Sequence, residues 1–202
     1  EQDFGMIHTP IDDLEFRAGA TLYTEGAAAQ GVFTLRSGMV KLSRITADGR
    51  RRILRLLRPG DVVGLEALAT ARYDSEATAL TDATLCRIPT EVVHSLSQRS
   101  PRLHASLLGK WQKALREADD WLAAINFGTA RQRVCHFALK MRHTTDPAFV
   151  TLFSREDMGA MMDLKQETVS REISALVKTG ALQPVDKLGR LYRIANDALL
   201  RH

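Results

Sequence analysis

Cysteine is scarce in this chain: Cys86 and Cys135 stand alone and far apart, which excludes a disulfide framework and a Cys-x-x-Cys zinc site. A reducing cytoplasm is the compartment expected from that usage. Apolar runs are too short to cross a bilayer, so no membrane span and no membrane partner are expected. The chain starts at Glu1 without a Met, and no charged-then-apolar leader follows, so no secretory signal is read. Histidine is missing between Phe16 and Pro89, which removes the clustered ligands that a cupin-type metal enzyme needs. GxSxG, HExxH and Walker-type glycine loops are also lacking. The chain is therefore expected to be no enzyme, with no catalytic residue and no metal site to name.

What is present is ordinary for a globular protein: 202 residues, 45% hydrophobic and 26% charged. That length suits two small domains. Charge is uneven along it. Residues 1–128 hold 16 basic against 16 acidic side chains and residues 129–202 hold 12 against 8, so the whole excess of +4 sits in the last third. A basic module attached to a neutral one suggests an anionic partner for the tail.

From Phe16 to Pro89, short and partly alternating apolar segments are punctuated by glycines, which predicts a meander of strands closing into an all-β roll. Thr21–Tyr23, Val32–Leu35, Met39–Leu42 and Ile53–Leu57 are the clearest, with Ala47-Asp48-Gly49 as a hairpin turn. Ser100-Pro101 then opens a helix that runs to about Asn126. The class expected is α+β: a jelly roll over 1–99, a long helix over 100–127 and a separate basic domain over 128–202.

Along the long helix Leu108, Trp111, Leu115, Ala118, Leu122 and Ile125 are spaced 3-4-3-4-3, the alternation of a coiled-coil seam. The bland alternative is an amphipathic helix lying on its own roll. A stripe covering a roll is normally wider than two residues per heptad, so a self-pairing dimer helix is expected.

After Phe127-Gly128, Thr129 caps a helix to about Met141, and a strand is expected over Phe149–Phe153. Ser154-Arg155-Glu156-Asp157 starts a short helix ending near Met162. Asp163-Leu164-Lys165 is a turn, and a second helix covers about Gln166 to Lys178. That is a helix-turn-helix outline, with the hairpin Leu182 to Ile194 as a wing. On the second helix Val169, Ile173, Leu176 and Val177 form a core face. Glu167, Ser170, Arg171, Ser174 and Lys178 make a polar stripe opposite. Arg171 can fork onto guanine O6 and N7, and Glu167 can accept from cytosine N4. Thr168, Lys178, Lys187 and Arg190 suit phosphates, and Ser174 is placed with them.

Val63-Gly64-Leu65-Glu66-Ala67, Thr84-Leu85-Cys86-Arg87-Ile88-Pro89 and Leu164-Lys165-Gln166-Glu167-Thr168-Val169-Ser170-Arg171 resemble the CRP/FNR superfamily of transcription regulators, over essentially the whole chain. The ExxSR pattern places the likeness nearer the FNR branch. The resemblance implies a cyclic-nucleotide-binding-like jelly roll, a dimer helix, a winged helix-turn-helix and a homodimer on palindromic DNA. It further implies that Glu167, Ser170 and Arg171 read half-sites like TTGAT. The signal implied is of a redox, oxygen, nitric oxide or metabolic kind. Relatives often carry Gly where Asp163 stands, and Asp tolerates the left-handed turn.

In the cyclic-AMP-binding branch a Gly-Glu pair and an Arg-Ser pair hold the nucleotide. Counting from Gly64, this chain offers Leu65, Ser75 and Glu76, so cyclic AMP is not expected. In the oxygen-sensing branch one roll cysteine joins three N-terminal ones around an iron–sulfur cluster. Cys86 matches the roll cysteine, but no other cysteine precedes it, which leaves it a small buried residue or the remaining ligand of a set cut from the chain. Cys135 is a candidate redox thiol whose simpler reading is structural. Haem is a further family option with His8, His94 or His104 as ligands. No cofactor is thus expected of the chain as given. Arg50, Arg51, Arg52, Arg55 and Arg58, alternating with Ile and Leu, read as the solvent side of a strand or as a contact for RNA polymerase, which relatives touch through exposed loops of the roll. The rival reading is an effector-binding jelly-roll protein with no DNA role.

Overall fold

The computed structural model describes residues 12–125, 127–143 and 145–201; His8 lies outside them. The chain divides into two compact units between Ala118 and Asp119.

The first unit opens with eight strands: β1 (Asp12–Phe16), β2 (Thr21–Tyr23), β3 (Gly31–Ser37), β4 (Val40–Ile45), β5 (Arg51–Leu57), β6 (Val62–Val63), β7 (Glu76–Ala79) and β8 (Ala83–Pro89). They form two four-stranded antiparallel sheets, ordered β1-β8-β3-β6 and β2-β7-β4-β5. Between the sheets the inward side chains of alternating residues make one apolar core, including Leu35, Val40, Leu57, Val63, Ala77 and Leu85. The roll starts four residues earlier than the sequence suggests. Asp13 and Glu15 are exposed on β1 while Leu14 and Phe16 turn inward, in register with Leu85 and Ala83; acidic residues on the outer face mask the strand signal.

The expected turn at Ala47-Asp48-Gly49 joins β4 to β5, with Gly49 at φ 78°. A bulge between Leu42 and Ser43 breaks the alternation there. As a result the arginine run is not simply the solvent side of a strand: Arg55 is half-buried and Leu54 is exposed. Arg50 pairs with Asp48 at 2.6 Å and Arg51 with Glu76 at 2.9 Å.

Helix α1 (Thr90–Arg99) was not expected from the sequence. It is followed by α2 (Pro101–Ile125), capped by the Ser100 hydroxyl, which accepts from the Leu103 amide at 3.2 Å. Two lysines tie α2 to the roll: Lys110 donates to the Gly60 carbonyl at 2.6 Å and Lys113 to the Asp61 carboxylate at 2.5 Å.

The second unit holds α3 (Ala130–Lys140), β9 (Phe149–Thr151), α4 (Arg155–Met162), α5 (Gln166–Lys178), β10 (Leu182–Pro184) and β11 (Leu191–Ile194). Thr129 and Gln132 close a reciprocal capping box on α3. The three strands order as β10-β11-β9. Phe137, Leu152, Met158, Met162, Leu176 and Leu200 are fully buried at the centre of the unit. Among the described residues no helix is long and apolar enough to cross a membrane.

Candidate nucleic-acid interface

The helix-turn-helix is built from local signals. Ser154 accepts from the Asp157 amide at 3.0 Å and starts α4. Asp163 ends it at φ 54°, the one non-glycine residue with positive φ among those described. The turn then folds back hard: Leu164 N–H donates to the Gly159 carbonyl at 3.1 Å. A Cβ on Gly159 would sit 2.5 Å from the Leu164 oxygen, so this approach requires glycine.

Helix α5 buries Val169, Ile173 and Leu176, and half-buries Val177. Glu167, Ser170, Arg171, Ser174 and Lys178 are all exposed on the other side, while Thr168 is half-buried. Each expected base-reading side chain is thus on one accessible face in the first turns of the helix. Arg171 lies with Nε 3.6 Å from a Glu172 carboxylate oxygen and keeps 72% of its side chain exposed. Gln166 donates to Glu167 Oε1 at 3.4 Å.

The wing turn is wider than the expected Lys187-Leu188-Gly189, spanning the residues between Pro184 and Leu191. Its organiser is Asp186, whose Oδ1 accepts from the amides of Arg190 at 2.9 Å and Leu191 at 3.1 Å. Burial works against ionisation of that carboxyl, but the backbone N–H groups outweigh it and hold it below the ordinary carboxylate range. Lys187 and Arg190 stand exposed at this tip.

Two arginines that the sequence did not single out brace the interface. Arg155 donates to the Tyr192 hydroxyl at 2.8 Å and to the Gly189 carbonyl at 3.3 Å, joining α4 to the wing. Arg133 donates to the Gly128 carbonyl and to the Met162 carbonyl, each at 3.1 Å, joining the start of α3 to the end of α4. The partners Tyr192, Gly189 and Met162 are remote in sequence, and no local pattern announces such bonds.

Residues 13–100 match the cyclic nucleotide-binding domain family and residues 132–202 the Crp-like helix-turn-helix domain family. The transcriptional activator protein FnrL of Cereibacter sphaeroides is 30% identical over 177 residues, which is 83% of this chain and 71% of that protein. The chain belongs to the CRP/FNR family of transcription regulators. The transcriptional activator protein FnrA of Stutzerimonas stutzeri is 28% identical over 90% of this chain and 79% of its own length. Among solved structures, FixK2 from Bradyrhizobium japonicum superposes with a TM-score of 0.83 at 26% identity, covering 96% of each chain. With its helix-turn-helix exposed as described, this CRP/FNR regulator is a DNA-binding transcription regulator.

The effector positions of this family member are differently furnished from those of the nucleotide-binding branch. Ser75, at the position matched to the arginine of that branch, is buried, and Glu76, matched to its serine, pairs with Arg51 at 2.9 Å. The Tyr23 and Tyr73 rings stack at 3.7 Å, and a Cβ on Gly64 would be 3.0 Å from Tyr73 and 3.6 Å from Tyr23. Burial, and then the Glu66 carboxylate, push the Tyr23 phenol well above its ordinary value. Aromatic rings therefore fill the space beside Gly64.

Cys86 is buried on β8, in register with Asp13 and Thr34. Cys135 is buried on α3, where burial and the neighbouring Glu172 raise its pKa against the opposing Arg131. That disfavours the thiolate a redox sensor needs. The two thiols lie in different units, and a cluster normally takes four. His94 and His104 are exposed on α1 and α2. Among the described residues no three His, Cys, Asp or Glu side chains are placed to hold a metal. The residues present do not fit an iron–sulfur cluster.

Proposed function

We propose that this regulator acts as a homodimer on a palindromic, TTGAT-like site. Glu167 accepts from a cytosine, Arg171 forks onto a guanine and Ser170 faces a thymine. Thr168, Ser174, Lys178, Lys187 and Arg190 hold phosphates, which set register without specifying sequence. The observation that carries this reading is the single exposed face of α5 behind a glycine-dependent turn.

The dimer is assigned to α2. Leu108, Trp111, Leu115 and Leu122 are 57%, 41%, 65% and 55% exposed, and Ala118 is half-buried among them. A stripe of large apolar side chains in water calls for a covering surface, and a second copy of α2 supplies one with matching spacing. Ile125 is the exception: it is 1% exposed within its own chain and is withdrawn from the interface. Two recognition helices need half-sites about one helical turn, roughly 34 Å, apart. RNA polymerase is the further partner and the cytoplasm the compartment, since both accompany the DNA.

Selection of bound sequences from random DNA tests the reading. Palindromes with a guanine under Arg171 are the expected yield. Non-palindromic or sequence-indifferent DNA contradicts it.

A further inference from the structure

We infer that the groove between the outer strands of the two roll sheets is a binding site for an apolar carboxylate, an anion with an alkyl or aryl body. This site is independent of the DNA-reading surface. Strands β1 and β2 are the outer strands of their sheets, and between them opens a groove of about 480 Å³. That is within the range of small-molecule sites. Leu14, Phe16, Leu22, Tyr23, Phe33 and Tyr73 make the apolar part of its wall. Gln30 and Arg87 are the polar groups that converge on it with the threonines of β2 and its end.

Arg87 gives the groove its chemistry. On β8 it lies two residues from Leu85, which is fully buried in the core, and in register with Phe33. Its side chain therefore leaves the sheet on the core side, where a guanidinium is unusual. Gly31 lies beside it: a Cβ there would be 2.9 Å from the Ile88 carbonyl oxygen and in ordinary contact with Arg87 Nε at 3.4 Å. Among the described residues Arg87 enters no ion pair. Asp12 is its register partner on β1, yet the two form none. A half-buried guanidinium against apolar walls is unfavourable without a counter-charge. Its planar fork matches a carboxylate bidentately. The rings of Tyr23 and Tyr73 form one wall of this groove and also abut Gly64, while Ser75 and Glu76 do not line it.

Calorimetric titration of the full chain with decanoate, and with 1-decanol as the uncharged body, tests the site. Decanoate is expected to bind at least tenfold more tightly than decanol. Arg87→Met is expected to erase that preference by weakening decanoate alone. Ala28→Trp, an exposed substitution at the groove wall, is expected to weaken both. If Arg87→Met fails to fold, the decanoate-to-decanol ratio and Ala28→Trp decide. No heat with decanoate at about 1 mM, equal affinity for the two probes, or decanoate binding unchanged by Ala28→Trp overturns the assignment.

Discussion

Arg155, the first residue of α4, donates to the hydroxyl of Tyr192 on β11 at 2.8 Å, so one side chain couples the helix-turn-helix to its wing. The same guanidinium reaches the Gly189 carbonyl beside the exposed tip. Arg155→Met should let the wing move without touching α5. The expected outcome is a several-fold loss of affinity on every DNA sequence, with base preferences intact, read by fluorescence anisotropy on cognate and scrambled duplexes. A change in base preference would mean that Arg155 serves α5 instead.

Arg171 and Lys178 lie on the same face of α5 with different duties. Arg171→Ala should cost about 1–3 kcal/mol on the selected site and relax preference at one guanine. Lys178→Ala should weaken all sequences alike and reduce the salt slope by about one. Titrations at several salt concentrations separate the two. Equal losses on specific and scrambled DNA for Arg171→Ala would remove it from base reading.

The helix-turn-helix was legible because its information is local. Ser154 and Thr129 are caps, Asp163 tolerates the left-handed turn, and Val169, Ile173 and Leu176 recur at helical period. Helix α1 was not legible, because Thr90, Val92 and Val93 are β-branched and Val93 is its only fully buried residue. Its form depends on packing against the rest of the unit. Arg155 and Arg133 were invisible for a related reason, since the acceptors in Tyr192, Gly189 and Met162 lie far along the chain. Ile125 shows the limit of spacing arguments: it falls on the 3-4 seam, yet spacing cannot say which body covers each seam residue.

Two helical glycines should respond to alanine with opposite signs. At Gly159 the new Cβ would press on the Leu164 carbonyl at 2.5 Å. Gly159→Ala should therefore lower stability by about 1–3 kcal/mol. At Gly109 in α2 nothing lies within 4 Å, so Gly109→Ala should raise stability by about 0.5–1 kcal/mol through helix propensity. Thermal unfolding of the two variants checks the pair. A stable Gly159→Ala would show that the turn can open.

Leu115 is the most exposed of the α2 stripe at 65%. Leu115→Glu places a carboxylate in the middle of the proposed seam, opposite its own copy, where desolvation and like-charge repulsion both oppose pairing. Because the side chain is exposed within the chain, folding should survive. Sedimentation should show a wild-type dimer and a monomeric variant at micromolar concentration. A wild-type monomer, or a variant that still pairs, would retire the seam.

Cyclic AMP should leave the melting temperature unchanged. A ligand stabilises a protein only in proportion to its occupancy of the native state, and here occupancy is opposed twice. Glu76, matched to the serine of the nucleotide-binding branch, carries a carboxylate paired with Arg51 at 2.9 Å, and the stacked Tyr23 and Tyr73 rings fill the space beside Gly64. Ser75 and Glu76 together supply no cation to offset a desolvated phosphate. Replacing them should change the outcome in part: Ser75→Arg with Glu76→Ser restores the cation and removes the repelling charge. The double variant should gain weak binding, limited by the rings that remain. A clear rise in the wild-type melting temperature with cyclic AMP would show that Arg51 can leave Glu76 and serve the phosphate itself.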